Sequence, residues 1–248
     1  YPHAQIRNES FADTQLPEGS FDAAIGNVPF GKIHLNDSRH NPGRRHPIHT
    51  HFVLKSAALV RPGGWIALIT SRYTLDGTGE DAIAARRQLA GLGELAAAVR
   101  LPAAAHRRAA GTDVVTDVLV IRRFEDGEHP PPGEPAWIQT VPVDVGGVPI
   151  PVNRHFADHP GLVLGDLATG GARRADDLRV VAPAGTDVAS GLAQALAGAA
   201  ADRATLAPRP ATPSPVMDRP PEGYQQARPD GTFARITSKV LELSLIHI

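Results

Sequence analysis

The stretch Trp65-Ile66-Ala67-Leu68-Ile69-Thr70 shows no polar alternation, and it follows directly on Arg61-Pro62-Gly63-Gly64, a run that stops a helix. An apolar run of this length without a polar face predicts a strand covered on both sides, as in parallel sheets. Before the glycines, Phe52, Val53, Leu54, Ala57, Leu59 and Val60 recur at near-helical spacing within His49 to Val60. Further back, Phe21-Asp22-Ala23-Ala24-Ile25 is a short apolar run that ends at Gly26 and gives way to loop residues at Asn27-Val28-Pro29-Phe30-Gly31. The order is strand, loop, helix, strand.

The alternation continues with a helix over Asp81 to Leu92, a strand over Leu95 to Leu101 and a β-branched strand over Val114 to Ile121. Between Leu101 and Val114 the chain is too poor in helix signals for a crossover, so the last two strands are expected to pair antiparallel. This predicts an α/β fold, a doubly wound sheet with an antiparallel final strand. The Pro-rich run Asp126 to Pro135 marks a boundary. Beyond it come strand-like pieces at Trp137 to Val143 and Val148 to Val152, then a helix from Val188 to Ala200. Residues 207-231 are rich in Pro, Arg and Asp and are expected to be disordered. The expected organisation is a main domain over 1-125, a linker and small extension over 126-206, and a disordered tail over 207-248.

With 25 basic against 26 acidic side chains in 248 residues, the chain is not a globally basic nucleic-acid coat protein, although a local basic groove remains open. The absence of Cys excludes a disulfide framework, a thiolate nucleophile and a thiolate metal site, and fits a reducing cytoplasm. No apolar run is long enough to span a bilayer. The chain opens on Tyr1, and Leu243-Ser244-Leu245-Ile246-His247-Ile248 is what the sequencing-adapter string CTGTCTCTTATACACATC encodes. The expectation is therefore a fragment of a larger reading frame with an adapter-encoded end over 243-248.

Asn27-Val28-Pro29-Phe30 resembles the Asn-Pro-Pro-Phe/Tyr signature of S-adenosylmethionine-dependent methyltransferases that modify exocyclic amino groups. An exocyclic amine is a poor nucleophile because its lone pair is delocalised into the ring. Two oxygen acceptors, the Asn27 side chain and the Val28 main-chain carbonyl, would bind both amine hydrogens and favour a pyramidal nitrogen. Val28 stands where Pro is commoner, but the acceptor there is a backbone oxygen, which Val supplies equally. Pro29 stiffens the turn, and Phe30 would stack on an extruded base. An ordinary Asn-initiated turn ending in a packed Phe is the plainer reading of the same four residues.

The surroundings widen the resemblance. Ile48-His49 with Phe52, Lys55-Ser56, Arg61-Pro62-Gly63-Gly64, Thr70-Ser71-Arg72, Leu75-Asp76, Ala110-Gly111-Thr112-Asp113 with Thr116-Asp117, and Asn153 with Phe156 to Gly165 are similar to the methylase part of helicase-methylase proteins of plasmids, phages and other mobile elements. The resemblance implies the C-terminal part of a Rossmann-like class I methyltransferase that transfers a methyl group from S-adenosylmethionine to the amino group of adenine in DNA. It implies DNA and a helicase domain of the same parent chain as partners, and neither a metal nor a membrane. It further implies that Asn27, Val28, Pro29 and Phe30 are catalytic and that Phe11 and Asn27 meet the cofactor. Phe30, Gly31, Arg45, His49, Arg72 and Arg107 would meet the substrate.

In that family the Gly-rich cofactor loop and the ribose-binding acid precede the strand leading to Asn27; here those elements are absent, and Ser10 stands where an acid often precedes the Phe11 position. The isolated chain is accordingly expected to bind the cofactor weakly or not at all. Methylation of a guanine amino group in RNA or of a protein glutamine, and a non-catalytic nucleic-acid-binding module, stay open as alternatives. Of the crowded histidines His34, His40, His46, His49 and His51, the pair His49-Thr50-His51 has the wrong spacing for a helical metal site, and His49 is expected to cap or brace the helix. Arg39, Arg44, Arg45, Arg107 and Arg108 could meet nucleic-acid phosphates or could be plain surface charges. Ser71 lacks the Gly-X-Ser-X-Gly elbow of a hydrolase nucleophile.

Overall fold

The computed structural model describes residues 5-106, 114-170, 177-201, 224-227, 233-236 and 241-244. It divides into two units, one of residues 16-206 and one of 1-15 with 207-248.

The larger unit is built on a mixed four-stranded sheet. Its strands are β2 (Phe21–Asn27), β3 (Val60–Ser71), β4 (Gly93–Leu101) and β5 (Thr116–Arg123), in spatial order β2-β3-β5-β4. β2 and β3 run parallel, whereas β5 is antiparallel to both β3 and β4 and lies between them. The fold is therefore α/β with an antiparallel final strand, as the sequence implies. Helix α1 (Ile48–Leu59) makes the crossover from β2 to β3, α2 (Tyr73–Asp76) is a single turn, and α3 (Glu80–Leu92) leads into β4.

α1 is buried nearly all round, which suits a helix packed on a sheet and roofed by a loop. Val53, Leu54 and Ala57 of α1 share one core with Ile66 and Leu68 of β3, Ala85 and Leu89 of α3, and Ile121 of β5. The glycines after α1 differ from the sequence reading. β3 begins at Val60, opposite Phe21, and Trp65 pairs with Ala23, so Arg61 to Gly64 form an irregularity inside the strand. A Cβ at Gly64 would stand 2.6 Å from the Asp22 carbonyl oxygen, and Gly63 has φ +71°, so both positions need glycine.

Coverage of β3 on both sides is not observed. Burial alternates along the strand, with Ile66 and Leu68 buried and Trp65, Ala67 and Ile69 half-buried. The half-covered face continues onto β2, where Ile25 is 83% exposed.

The extension belongs to the same unit as the sheet. β6 (Thr140–Val145) and β7 (Val148–Asn153) form a hairpin, α4 (Arg154–Asp158) follows, and β8 (Asp166–Thr169) pairs with β9 (Leu178–Val181). Val145, Ile150, Val152 and Phe156 pack with Leu75, Ala98 and Leu119, and Leu95 and Trp137 touch both this cluster and the first. α5 spans Val188–Ala201 and packs on β4.

In the smaller unit, β1 (Gln5–Arg7), β10 (Tyr224–Ala227), β11 (Phe233–Ile236) and β12 (Leu241–Ser244) make an antiparallel sheet. β10, β11 and β12 fall within the span 207-248, and each pairs with its neighbour antiparallel. The rest of that tail lies outside the described residues. No helix among the described residues is long and apolar enough to cross a membrane.

Candidate functional site

β2 delivers Asn27 to the C-terminal end of a parallel strand, where ligands bind in open α/β sheets. The next residue fixes the exit: the Val28 amide donates to the Ile69 carbonyl at 2.9 Å, and the Val28 side chain is buried in the core of α1 and β3. Asn27 by contrast is exposed, and its side chain makes no hydrogen bond among the described residues. The Val28 carbonyl oxygen also accepts none among them. Two oxygen acceptors on consecutive residues are thus unused among the described residues. Pro29 is exposed, and Phe30 is half-buried against the core that holds Val28, Val53 and Leu54. Gly31, at φ +156°, occupies a backbone conformation that favours glycine.

The loop 31-47 that follows is held from inside by a carboxylate to which the sequence reading gave no role. Asp37 is buried and its Oδ2 accepts from Lys55 Nζ at 2.7 Å and His51 Nε2 at 3.0 Å, while its Oδ1 accepts from the amides of Arg39 and His40. Burial pushes the Asp37 carboxyl up, but the hydrogen bonds from Lys55, the His40 amide, His51 and the Arg39 amide outweigh it and hold the group well below the usual carboxylate range. Asn41 completes the scaffold, donating to the carbonyls of Leu35 and His46 and accepting from the His46 amide.

His49 does not cap α1, whose N-cap is Pro47 and carries no side-chain bond; proline has neither a side-chain acceptor nor an amide to offer. Its imidazole is buried, Nδ1 has no hydrogen-bond partner among the described residues, and burial, with the charge of His34 adding to it, lowers its pKa to about 4. It stands neutral at ordinary pH. Asp37 braces the loop from inside.

Beside Asn27, β3 ends at Ser71. Thr70 is buried and bonded to Thr74 at 2.9 Å, and Arg72 is drawn onto Asp76 at 3.1 Å with its guanidinium over the Tyr73 ring at 4.4 Å. Asp76 anchors a buried network. It lies 2.9 Å from Arg100, which forks onto Asp117 at 2.8 and 2.9 Å, and its Oδ1 accepts from the Asn153 amide at 2.8 Å. Burial works against the Arg100 charge, but Asp117 and Asp76 more than compensate and raise its pKa. The network ties the end of β3 to β4, β5 and the hairpin. Asp76, Asp117 and Asn153 fall within the family-like strings; Arg100 had no signal beyond a charge in an apolar strand.

Arg45 pairs with Asp81. Arg107 lies outside the described residues. Phe11 belongs to the smaller unit and is half-buried in a turn where the Ser10 carbonyl accepts from the amides of Asp13 and Thr14, and Glu9 pairs with Arg7 at 3.1 Å. No group of three or more metal-binding side chains is arranged to hold an ion among the described residues. The residues before Asn27 include only Gly19 and Gly26, so they do not form a Gly-rich cofactor loop.

No protein-family model matches the sequence, and no curated protein matches it. Among solved structures, the chain is similar to a protein from Listeria monocytogenes assigned to the class I S-adenosylmethionine-dependent methyltransferases, at 15% identity and TM-score 0.38, over 48% of this chain and 37% of that one. It is similar to the M protein of the type I restriction enzyme EcoKI, at 24% identity and TM-score 0.37, over 44% of this chain and 21% of that one. It is also similar to a modification subunit assigned to a type I restriction enzyme of Vibrio vulnificus, at 18% identity and TM-score 0.37, over 45% of this chain and 24% of that one. The chain thus spans well under half the length of each of these proteins.

Proposed function

We propose that this chain carries the target-base half of an amino-directed DNA methyltransferase that forms N6-methyladenine with S-adenosylmethionine as methyl donor. The observation that carries the reading is the pair of acceptors, Asn27 Oδ1 and the Val28 carbonyl, unbonded among the described residues at the end of a parallel strand, with Phe30 two residues beyond Val28. A turn that served only the fold would normally spend the Asn side chain on its own backbone. Here it is left free.

In this reading both acceptors take a hydrogen from the adenine amine, which localises its lone pair on nitrogen. Phe30 lies against the flat face of the extruded base, and the buried Val28 and the Asp37 scaffold keep the acceptors from moving with the loop. When bound, the cofactor supplies a methyl group on a sulfonium, already a good leaving group, so the chain's own work is alignment and exclusion of water. DNA as substrate and a helicase domain as partner rest on the sequence resemblance.

The test is methyl transfer to DNA by the complete open reading frame that encodes these residues. Asn27→Ala is expected to lower turnover by about 2–4 kcal/mol of transition-state stabilisation, on the scale of oxyanion-hole deletions. The exposed side chain predicts no change in stability. Near-normal methylation by that variant would overturn the reading.

A further inference from the structure

Loop 31-47 begins one residue beyond Phe30, and two bonds close its base. The Ile48 amide donates to the Ile33 carbonyl at 2.7 Å, and His34 Nδ1 donates to the Arg44 carbonyl at 2.9 Å. The second bond brings the segment carrying Lys32 and the segment carrying Arg44 to the same end of the loop. Arg44 is set there by a left-handed backbone, φ 56°, following Gly43 at φ 68°.

The loop's permanent charges sort into two groups. Asp37 is sealed inside with Lys55 and His51, Arg39 lies 2.9 Å from Glu18, and Arg45 pairs with Asp81. That leaves Lys32 and Arg44, both exposed and without an ion-pair partner among the described residues. Two cations without an ion-pair partner among the described residues therefore stand at the base of the loop that opens one residue beyond Phe30.

We infer that Lys32 and Arg44 hold the phosphodiester backbone next to the target nucleotide, an inference that rests on the target-base reading above. Arg presents a planar fork to phosphate oxygens and Lys a compact charge, and such contacts fix the register of the strand while carrying no base information. The assignment falls on Arg44 in place of Arg45, because Arg45 is already paired.

The test is binding of the full 248-residue chain to a labelled mixed-sequence DNA duplex, by anisotropy, between 50 and 200 mM salt. Each phosphate contact contributes about 0.9 to the slope of log affinity against log salt, so K32Q/R44Q is expected to reduce the slope by about 1.8 and R39Q/R45Q by less than half of that. Arg44→Gly removes the charge and relieves the left-handed backbone, so it keeps the fold and loses about 0.9 of slope. No binding by the unsubstituted chain, an unchanged slope in K32Q/R44Q, or an equal loss in R39Q/R45Q would overturn the inference. Asn27-dependent methylation with a slope indifferent to Lys32 and Arg44 would overturn it and leave the enzyme standing. A slope that follows both residues, with no Asn27-dependent methylation by the complete open reading frame, would keep the phosphate contacts but sink the catalytic reading and, with it, their placement next to a target nucleotide.

Discussion

Lys55 Nζ lies 2.7 Å from Asp37 Oδ2, and both side chains are 1% exposed. A charge pair so deeply buried tolerates the loss of neither member, because the survivor keeps its desolvation cost. Asp37→Asn is expected to destabilise the chain by about 3–5 kcal/mol in urea unfolding, and combining it with Lys55→Met is expected to recover part of that loss. A cost below about 1 kcal/mol for Asp37→Asn would show that the pair does not hold the loop.

Phe30 invites a separation of stacking from packing, since it is half-buried against the core yet follows the acceptor pair. Phe30→Leu keeps an apolar side chain on Val53 and Leu54 and removes the flat ring. It should weaken capture of an extruded adenine by about 1–3 kcal/mol, with the unfolding midpoint little changed. Fluorescence of 2-aminopurine at the target position reads the capture. Equal signals from the two proteins would leave Phe30 a packing residue only.

Much of the sheet was legible because its strands and helices are separated by clear breakers. Arg61 to Gly64 misled for a local reason: these residues end α1, but they also pass within the strand, where Gly64 sits too close to the Asp22 carbonyl for any side chain. The uncovered face was invisible because Trp65, Ala67 and Ile69 are apolar whether or not anything lies on them, so the two-residue period that marks a half-exposed strand is missing. In the site, Asn27 to Phe30 could be found as a motif. Asp37 could not, since its partners are 14 and 18 residues away and only the closed loop brings them together.

His49 gives the fold a dependence on acid. Its pKa is lowered to about 4 by burial, against 6.5 for the free side chain, so the unfolded chain binds a proton that the folded chain refuses between those values. Its contribution is intact above pH 6.5 and is lost as pH falls toward 4. Between pH 7 and 4.5 the loss attributable to His49 is about 2–3 kcal/mol. His49→Leu should shrink the stability difference between those two pH values by that amount. Parallel curves for the two proteins would place the titration elsewhere.

Ile25 stands 83% exposed on β2, the edge strand, in register with Ala67 and through it with Val120, both half-buried and apolar. Among the described residues β2 is paired on one side only, with β3. An apolar face continuous with an open edge is a template for association between chains. The chain at tens of micromolar should therefore sediment as a mixture of monomer and larger species. A lysine at this position adds charge to the edge without disturbing a packed side chain, so Ile25→Lys should shift the distribution toward monomer and leave the unfolding midpoint unchanged. Ile25→Val, which keeps the surface apolar, should behave as the unsubstituted chain. If that chain is a monomer throughout, or if Lys and Val variants associate alike, the β2 edge is not the contact.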